Sequence, residues 1–133
     1  GKKLLLRVED LMHVDAEIPL VTPETLLREA LFEITSKKLG ITGIVDAQGV
    51  LIGVFTDGDL RRIMELGLES LQQPIHQVMS TAPKRILRRN LAAKALQIME
   101  AHSITSLFVF ADEQGTIPVG IVHLHDLLKS GVV

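Results

Sequence analysis

A chain of 133 residues with a formal net charge of −2 and no cysteine has room for one compact domain or two merged subdomains, and for neither a disulfide framework nor a thiolate metal site. Near-neutrality removes any global pull toward nucleic acid, and no apolar run approaches the roughly 20 residues of a membrane span. Apolar residues make up 47% of the chain and aromatics, all Phe, only 3%, so the core must be built from Leu, Ile, Val, Ala and Met. The lack of Cys fits a reducing cytoplasm. The basic start Gly1-Lys2-Lys3 is followed by only three apolar residues, too few for a signal peptide. Gly1 is not a natural start, so the chain is read as a fragment whose N-terminal partner domain is missing.

Taken in order, the chain repeats itself. A short helical turn ends at Met12, and Ile18 to Val21 is extended. Thr25 caps a helix whose stripe is Leu27, Ala30, Leu31 and Ile34, the spacing of a one-sided helix. Strands at Ile41 to Asp46 and Val50 to Phe55 flank Ala47-Gln48-Gly49, a hairpin turn. A helix then begins near Asp57 or Asp59 and stops at Gly67. The second half follows the same plan. Val8-Glu9-Asp10-Leu11-Met12 returns as Ile75-His76-Gln77-Val78-Met79, and Asn90 caps the stripe Ala92, Ala95, Leu96 and Met99. Gly40-Ile41-Thr42-Gly43 aligns with Ser103-Ile104-Thr105-Ser106, which places Thr42 and Thr105 in equivalent strands. The later strands are Ile104 to Phe110 and Ile117 to Val122, and the last helix runs from about Asp126 to Gly131. Each half is β-α-β-β-α, too small to bury enough surface alone, and two copies packed together leave a cleft of the kind that holds ligands. The boundaries are 1–69 for the first repeat with its lead-in and 70–133 for the second.

This order, with Gly53-Val54-Phe55-Thr56-Asp57-Gly58-Asp59-Leu60-Arg61-Arg62 closing the first copy, resembles a CBS-domain pair, a family named for cystathionine β-synthase. The resemblance implies an α/β (α+β) fold of two CBS repeats packed with pseudo-twofold symmetry. Leu5 to His13, the stretch at 55–62 and the terminal His123 to Val133 are further similar to the C-terminal half of D-arabinose 5-phosphate isomerases. Those enzymes join a sugar-isomerase domain to a CBS pair and supply D-arabinose 5-phosphate, made from D-ribulose 5-phosphate, for 3-deoxy-D-manno-octulosonate and lipopolysaccharide synthesis. On that resemblance the catalytic residues lie upstream, and this fragment carries none.

Within the family pattern, Asp59 is expected to accept both hydroxyls of a ribose diol, or to serve only as a helix-start residue. Thr56 is expected to donate to a phosphate, with Asp57-Gly58 turning the backbone and the helix N-terminus favouring an anion, or to act only as a cap. A basic partner is needed there, from Arg61, Arg62, Lys84 or Arg85. Thr42 and Thr105 stand where the family reads a base edge, or are simply β-branched strand residues. In the second copy His123 replaces Thr56 while Asp126 is retained; His123 could donate to an anion when protonated. His123, His125 and Asp126 lack a fourth metal ligand. His13, His76 and His102 read as scattered structural or surface residues, and Met12, Met64, Met79 and Met99 as core.

These features give an expectation of a regulatory module with no cofactor of its own. A nucleotide or sugar nucleotide bridges the repeats: CMP-3-deoxy-D-manno-octulosonate as feedback effector, or AMP or ATP. The rival is a structural platform, dimeric as a fragment and tetrameric in the parent. No nucleophile–base pair, metal cluster or phosphate loop argues for an enzyme.

Overall fold

The computed structural model describes residues 5–132; the basic stretch Gly1 to Leu4, read above for targeting, and Val133 lie outside them. Two packing units emerge. One comprises Pro19–Pro83, and the other joins the residues up to Ile18 to those from Lys84 onward.

In the first unit, β1 (Leu20–Val21) lies parallel to β2 (Ile41–Val45), and β2 lies antiparallel to β3 (Leu51–Thr56). Helix α2 (Leu27–Lys37) connects β1 to β2, and α3 (Asp57–Met64) follows β3 directly. The stripe expected from the sequence faces inward: Leu27, Ala30 and Ile34 are buried with Ile44, Phe55 and Ile75. The β2–β3 turn is held by Asp46, whose Oδ1 accepts from the Gln48 and Val50 amides at 2.9 and 3.0 Å.

The second unit repeats the plan. Strand β4 (Arg85–Leu87) is parallel to β5 (Ser106–Phe110), which is antiparallel to β6 (Gly120–His123). Helix α4 (Ala92–His102) links β4 to β5, and α5 (Leu124–Ser130) follows β6. Ala92, Ala95 and Met99 are buried with Ile86, Leu107, Val109, Val122 and Leu127.

The lead-in turns are exchanged between repeats. The turn α1 (Val8–Leu11) buries Val8 in the core of the second repeat, and the His13 backbone pairs with Ile121 of β6. Conversely, the 3-10 turn Ile75–Gln77 buries Ile75 in the core of the first repeat, and Ser80 pairs with Val54 of β3. Sequence boundaries at 69 and 70 therefore separate the repeats as written in the chain, whereas packing divides the chain near Ile18 and near Pro83.

Three local expectations are corrected. Helices α2 and α4 take Leu26 and Leu91 at the N-cap. Thr25 instead hydrogen-bonds Thr22 at 3.0 Å, and Asn90 accepts from the Leu87 amide at 2.9 Å, so both polar side chains shape the preceding turn. Met64 is 40% exposed at the end of α3 rather than in the core. The third concerns register. Ile41 pairs with Thr56 in the first repeat and Ser106 with His123 in the second, which makes Leu107 the counterpart of Thr42. The left-handed C-cap residues Lys38 and Ser103 give the same alignment. Thr105 therefore stands two residues away from the position expected, ahead of β5. Strand side chains alternate with a period of two, so a slip of two preserves the apolar pattern and leaves no trace in it.

Candidate ligand site at the strand-to-helix turns

Both repeats pass from the last strand of the sheet into a helix without an intervening loop, and the expected binding residues lie at that junction. In the first repeat Thr56 is the N-cap of α3, in extended backbone conformation. Its Oγ1 accepts from the Asp59 amide at 3.1 Å, while Asp59 Oδ2 accepts from the Thr56 amide at 2.9 Å. This is the reciprocal capping box of a helix start. It holds the Asp59 side chain at 12% exposure, with Oδ1 in an ion pair with Arg62 one turn along. The Arg62 side chain is otherwise largely exposed. Because the Thr56 oxygen accepts from the helix, its proton is left to donate.

Gly58 sits inside the helix, and a Cβ there would meet nothing closer than 3.6 Å. Its backbone freedom is not what makes the turn, contrary to the expectation placed on Asp57-Gly58; the Thr56 cap makes it. The Asp57 amide donates to the Gly40 carbonyl at 3.0 Å, so the first-turn amides of Asp57 and Asp59 are both engaged. Arg61 and Arg62 lie in the last turn of α3, and of the two it is Arg62 that reaches the Asp59 carboxylate.

Thr42 is fully buried, and its hydroxyl donates to the Gly43 carbonyl at 3.2 Å. It lies in the central strand, flanked by β1 and β3, whose backbone groups are committed to two ladders. Thr105 is exposed, and its carbonyl accepts from the Leu124 amide at 2.8 Å, tying β5 to the start of α5.

Arg85 opens β4 in the other unit with Lys84 just before it, both exposed. Arg85 stacks on Phe110, 3.9 Å from the ring centroid, and donates to the Asp112 carbonyl at 3.2 Å. It borders a shallow pocket of about 280 Å³, together with Asn90, Lys94 and Glu113.

The second junction is built differently. His123 is the N-cap of α5 and Asp126 the third helical residue, so α5 starts two residues earlier than expected. Asp126 Oδ2 accepts from the His123 amide at 2.9 Å, as Asp59 does from Thr56. Nδ1 of His123 accepts from the His125 amide at 3.0 Å. An accepting nitrogen carries no proton, and burial followed by the neighbouring His125 holds the His123 pKa below its ordinary value of 6.5. Both features favour the neutral form over the protonated His123 expected to donate to an anion, and with Nδ1 accepting, the proton of that neutral form lies on Nε2.

His13, expected to be an isolated residue, is the unforeseen member of this cluster. Its Nε2 lies 3.1 and 3.0 Å from the two oxygens of Asp126, and its Nδ1 lies 2.8 Å from Glu17 Oε1. A signal was present in the repeat: Met79-Ser80 in one lead-in corresponds to Met12-His13 in the other. Its meaning depended on His13 meeting a carboxylate 113 residues away. His123 and His125 face each other at 4.5 Å between ring centroids. No helix among the described residues is long and apolar enough to cross a membrane.

Comparison with known proteins places this architecture. The chain matches the CBS domain twice, over residues 8–66 and 75–132. It is 46% identical over 133 residues to the arabinose 5-phosphate isomerase KdsD of Yersinia pestis, and 47% to that of Escherichia coli K12. In each case all of this chain aligns with 40% of the relative, so it spans well under half of their length. Among solved structures it is similar to the CBS-domain protein ATU1752 of Agrobacterium tumefaciens (TM-score 0.85, 26% identity, 98% of this chain and 97% of that one). It is also similar in fold to CBSX2 in complex with AMP (TM-score 0.78, 21% identity, 96% of each chain). Two sheets of one topology, each ending in a capped carboxylate and each matching the same family, identify the chain as a tandem pair belonging to the CBS-domain family.

Proposed function

We propose that this chain is the regulatory ligand-binding region of an arabinose 5-phosphate isomerase, and that it senses a nucleotide or sugar nucleotide at the Thr56–Asp59 turn. The near-half identity to KdsD relatives along the entire chain supports the parent. That parent interconverts D-ribulose 5-phosphate and D-arabinose 5-phosphate in the cytoplasm, for lipopolysaccharide synthesis, through an N-terminal sugar-isomerase domain of the same polypeptide. The fragment contributes no catalytic group.

The observation that carries the reading is the reciprocal Thr56–Asp59 cap. It locks a carboxylate, a hydroxyl with a free proton and an exposed guanidinium into one turn. The carboxylate oxygens retain lone pairs for a ribose diol. The Arg62 fork can swing from Asp59 Oδ1 to a phosphate, which it recognises in a bidentate manner. Thr56 donates alongside it. Lys84 and Arg85, exposed in the other unit, and Thr42 and Thr105, engaged within their own repeats, are given no contact with the ligand in this reading. At the second repeat His123 and Asp126 form a modified site in which Asp126 already has His13 as a partner. CMP-3-deoxy-D-manno-octulosonate is the effector that suits the pathway, and AMP or ATP are the adenine alternatives. Regulation requires the effector to prefer one state of the parent over the other.

A thermal-shift panel of those three compounds tests the reading. A ligand at 100 times its Kd adds about 2.7 kcal/mol of stability. Removing a charged hydrogen-bond partner with Asp59→Ala should weaken binding by about 1.5–3 kcal/mol, measured by calorimetry on the folded variant. Asp126→Ala should matter less, and equal losses would indicate two equivalent sites.

The exposed apolar residues Met64 at the end of α3 and Leu66 and Leu68 beyond it favour a second reading, an assembly platform that makes the fragment a homodimer and the parent a homotetramer. Absence of a shift with all three ligands, together with a dimer in sedimentation, would select it.

A further inference from the structure

We propose that His13 is a protonation-dependent clasp that binds the lead-in segment to the second repeat and occupies the Asp126 carboxylate with a side chain of the same polypeptide. The geometry carries the inference. Nδ1 faces Glu17 and Nε2 faces both oxygens of Asp126. Ionised carboxylates only accept, and a neutral imidazole has a single N–H. Both contacts are hydrogen bonds only when His13 is the imidazolium. Loss of one proton turns one of them into a repulsion between lone pairs, so the clasp must let go of Glu17 or of Asp126.

The surroundings agree. The charged and titratable groups facing His13 are Glu17 on its own segment and Asp126 on α5, with His123 from β6 beyond them; His125 of α5 in turn faces His123. The hydrogen bond to Glu17 is the largest influence and raises the His13 pKa, with Asp126 adding to it against a partial loss of solvent. A charged His123, which would oppose it, is disfavoured while His123 Nδ1 accepts the His125 amide. Two histidines in one cluster are thus biased in opposite directions, His13 toward the charged form and His123 toward the neutral one.

The clasp has a mechanical side. The His13 backbone exchanges hydrogen bonds with Ile121 at 2.8 and 3.0 Å, so the strand carrying the clasp is fixed at one end and released at the other. Among the described residues the first repeat has no such device, because Ser80 stands at the equivalent backbone position and Asp59 is paired with Arg62 from its own helix. Acidification therefore tightens, and alkalinisation loosens, the lead-in at the second repeat alone.

The test is an NMR titration of the imidazole signals in the intact chain, in wild type, Glu17→Gln and Asp126→Asn. His13 should titrate above 6.5, and each substitution should lower its midpoint; every unit of elevation corresponds to a tenfold preference for the charged form. Glu17→Gln leaves the α5 cap intact, so it remains informative if Asp126→Asn loosens the helix. Hydrogen exchange at the Glu17 and Ile18 amides, corrected for intrinsic rates, should rise as His13 loses its proton. A wild-type His13 midpoint at or below the ordinary imidazole value would overturn the proposal, as would a midpoint indifferent to Glu17→Gln. None of these readouts involves a nucleotide, so they stand or fall separately from the ligand reading at Asp59.

Discussion

Gly53 and Gly120 occupy matching positions in β3 and β6, and replacing either with Ala should destabilise the chain through backbone crowding. A Cβ on Gly120 would lie 2.5 Å from Met12 Sδ, 2.9 Å from Met12 Cγ and 2.9 Å from the His13 carbonyl oxygen. On Gly53 the same atom would meet Met79 Sδ at 2.5 Å and the Ser80 carbonyl at 3.0 Å. A thioether can turn aside, but these carbonyls cannot do so freely. His13 and Ile121 exchange two backbone hydrogen bonds, as do Ser80 and Val54. Moving the carbonyl by the few tenths of an ångström that a methyl needs strains a bridge whose bonds contribute about 0.5–1.5 kcal/mol each. Overpacking of this kind costs about 1–3 kcal/mol, and Gly120→Ala should fall in the upper part of that range. For a chain of this size the shift in Tm is roughly 4–12 °C. Urea denaturation with an unchanged m-value would attribute the loss to the native state. Adding Met12→Ala to Gly120→Ala removes the sulfur clash but not the carbonyl clash, so the double variant should stay below Met12→Ala alone. A Gly120→Ala protein as stable as wild type would refute the reasoning, since it would mean that the lead-in does not press on β6.

Two further outcomes are expected. Ile75, fully buried with Leu27, Ile34 and Phe55, should cost about 2–5 kcal/mol on truncation to Ala, with exchange protection lost first in α2 and β2; loss confined to β4–β6 would contradict the exchanged lead-ins. Stability should also respond to pH with opposite signs at the two histidines. His13 titrates above its unfolded value, so its contribution is complete below about 6.5 and is lost as pH rises through the folded value. His123 titrates below, so its contribution is complete above the unfolded value and is lost as pH falls through the folded one. Denaturation profiles of His13→Ala and His123→Thr should each flatten one limb, the alkaline and the acid limb respectively.

Much of this protein is written locally. Helix stripes, a hairpin turn and the Gly131 helix stop follow from periodicity and backbone preference acting over a few residues, whereas α3 ends at Met64, three residues before the Gly67 stop expected for it. The Thr56-to-Asp59 spacing belongs with them, because a capping box is a contact across one helical turn. The duplication of the whole pattern was equally visible and led to the family. The exceptions share one cause. The exchange of Val8 and Ile75 between cores, the two-residue register of β5, and the meeting of His13 with Asp126 join segments far apart in the chain. Their pairing energy has no counterpart in local pattern, and an even slip in a strand leaves the apolar alternation unchanged. Sequence determined which turns would carry a carboxylate; only the tertiary structure decided that one is held by an arginine of its own helix and the other by a histidine from the opposite end of the chain.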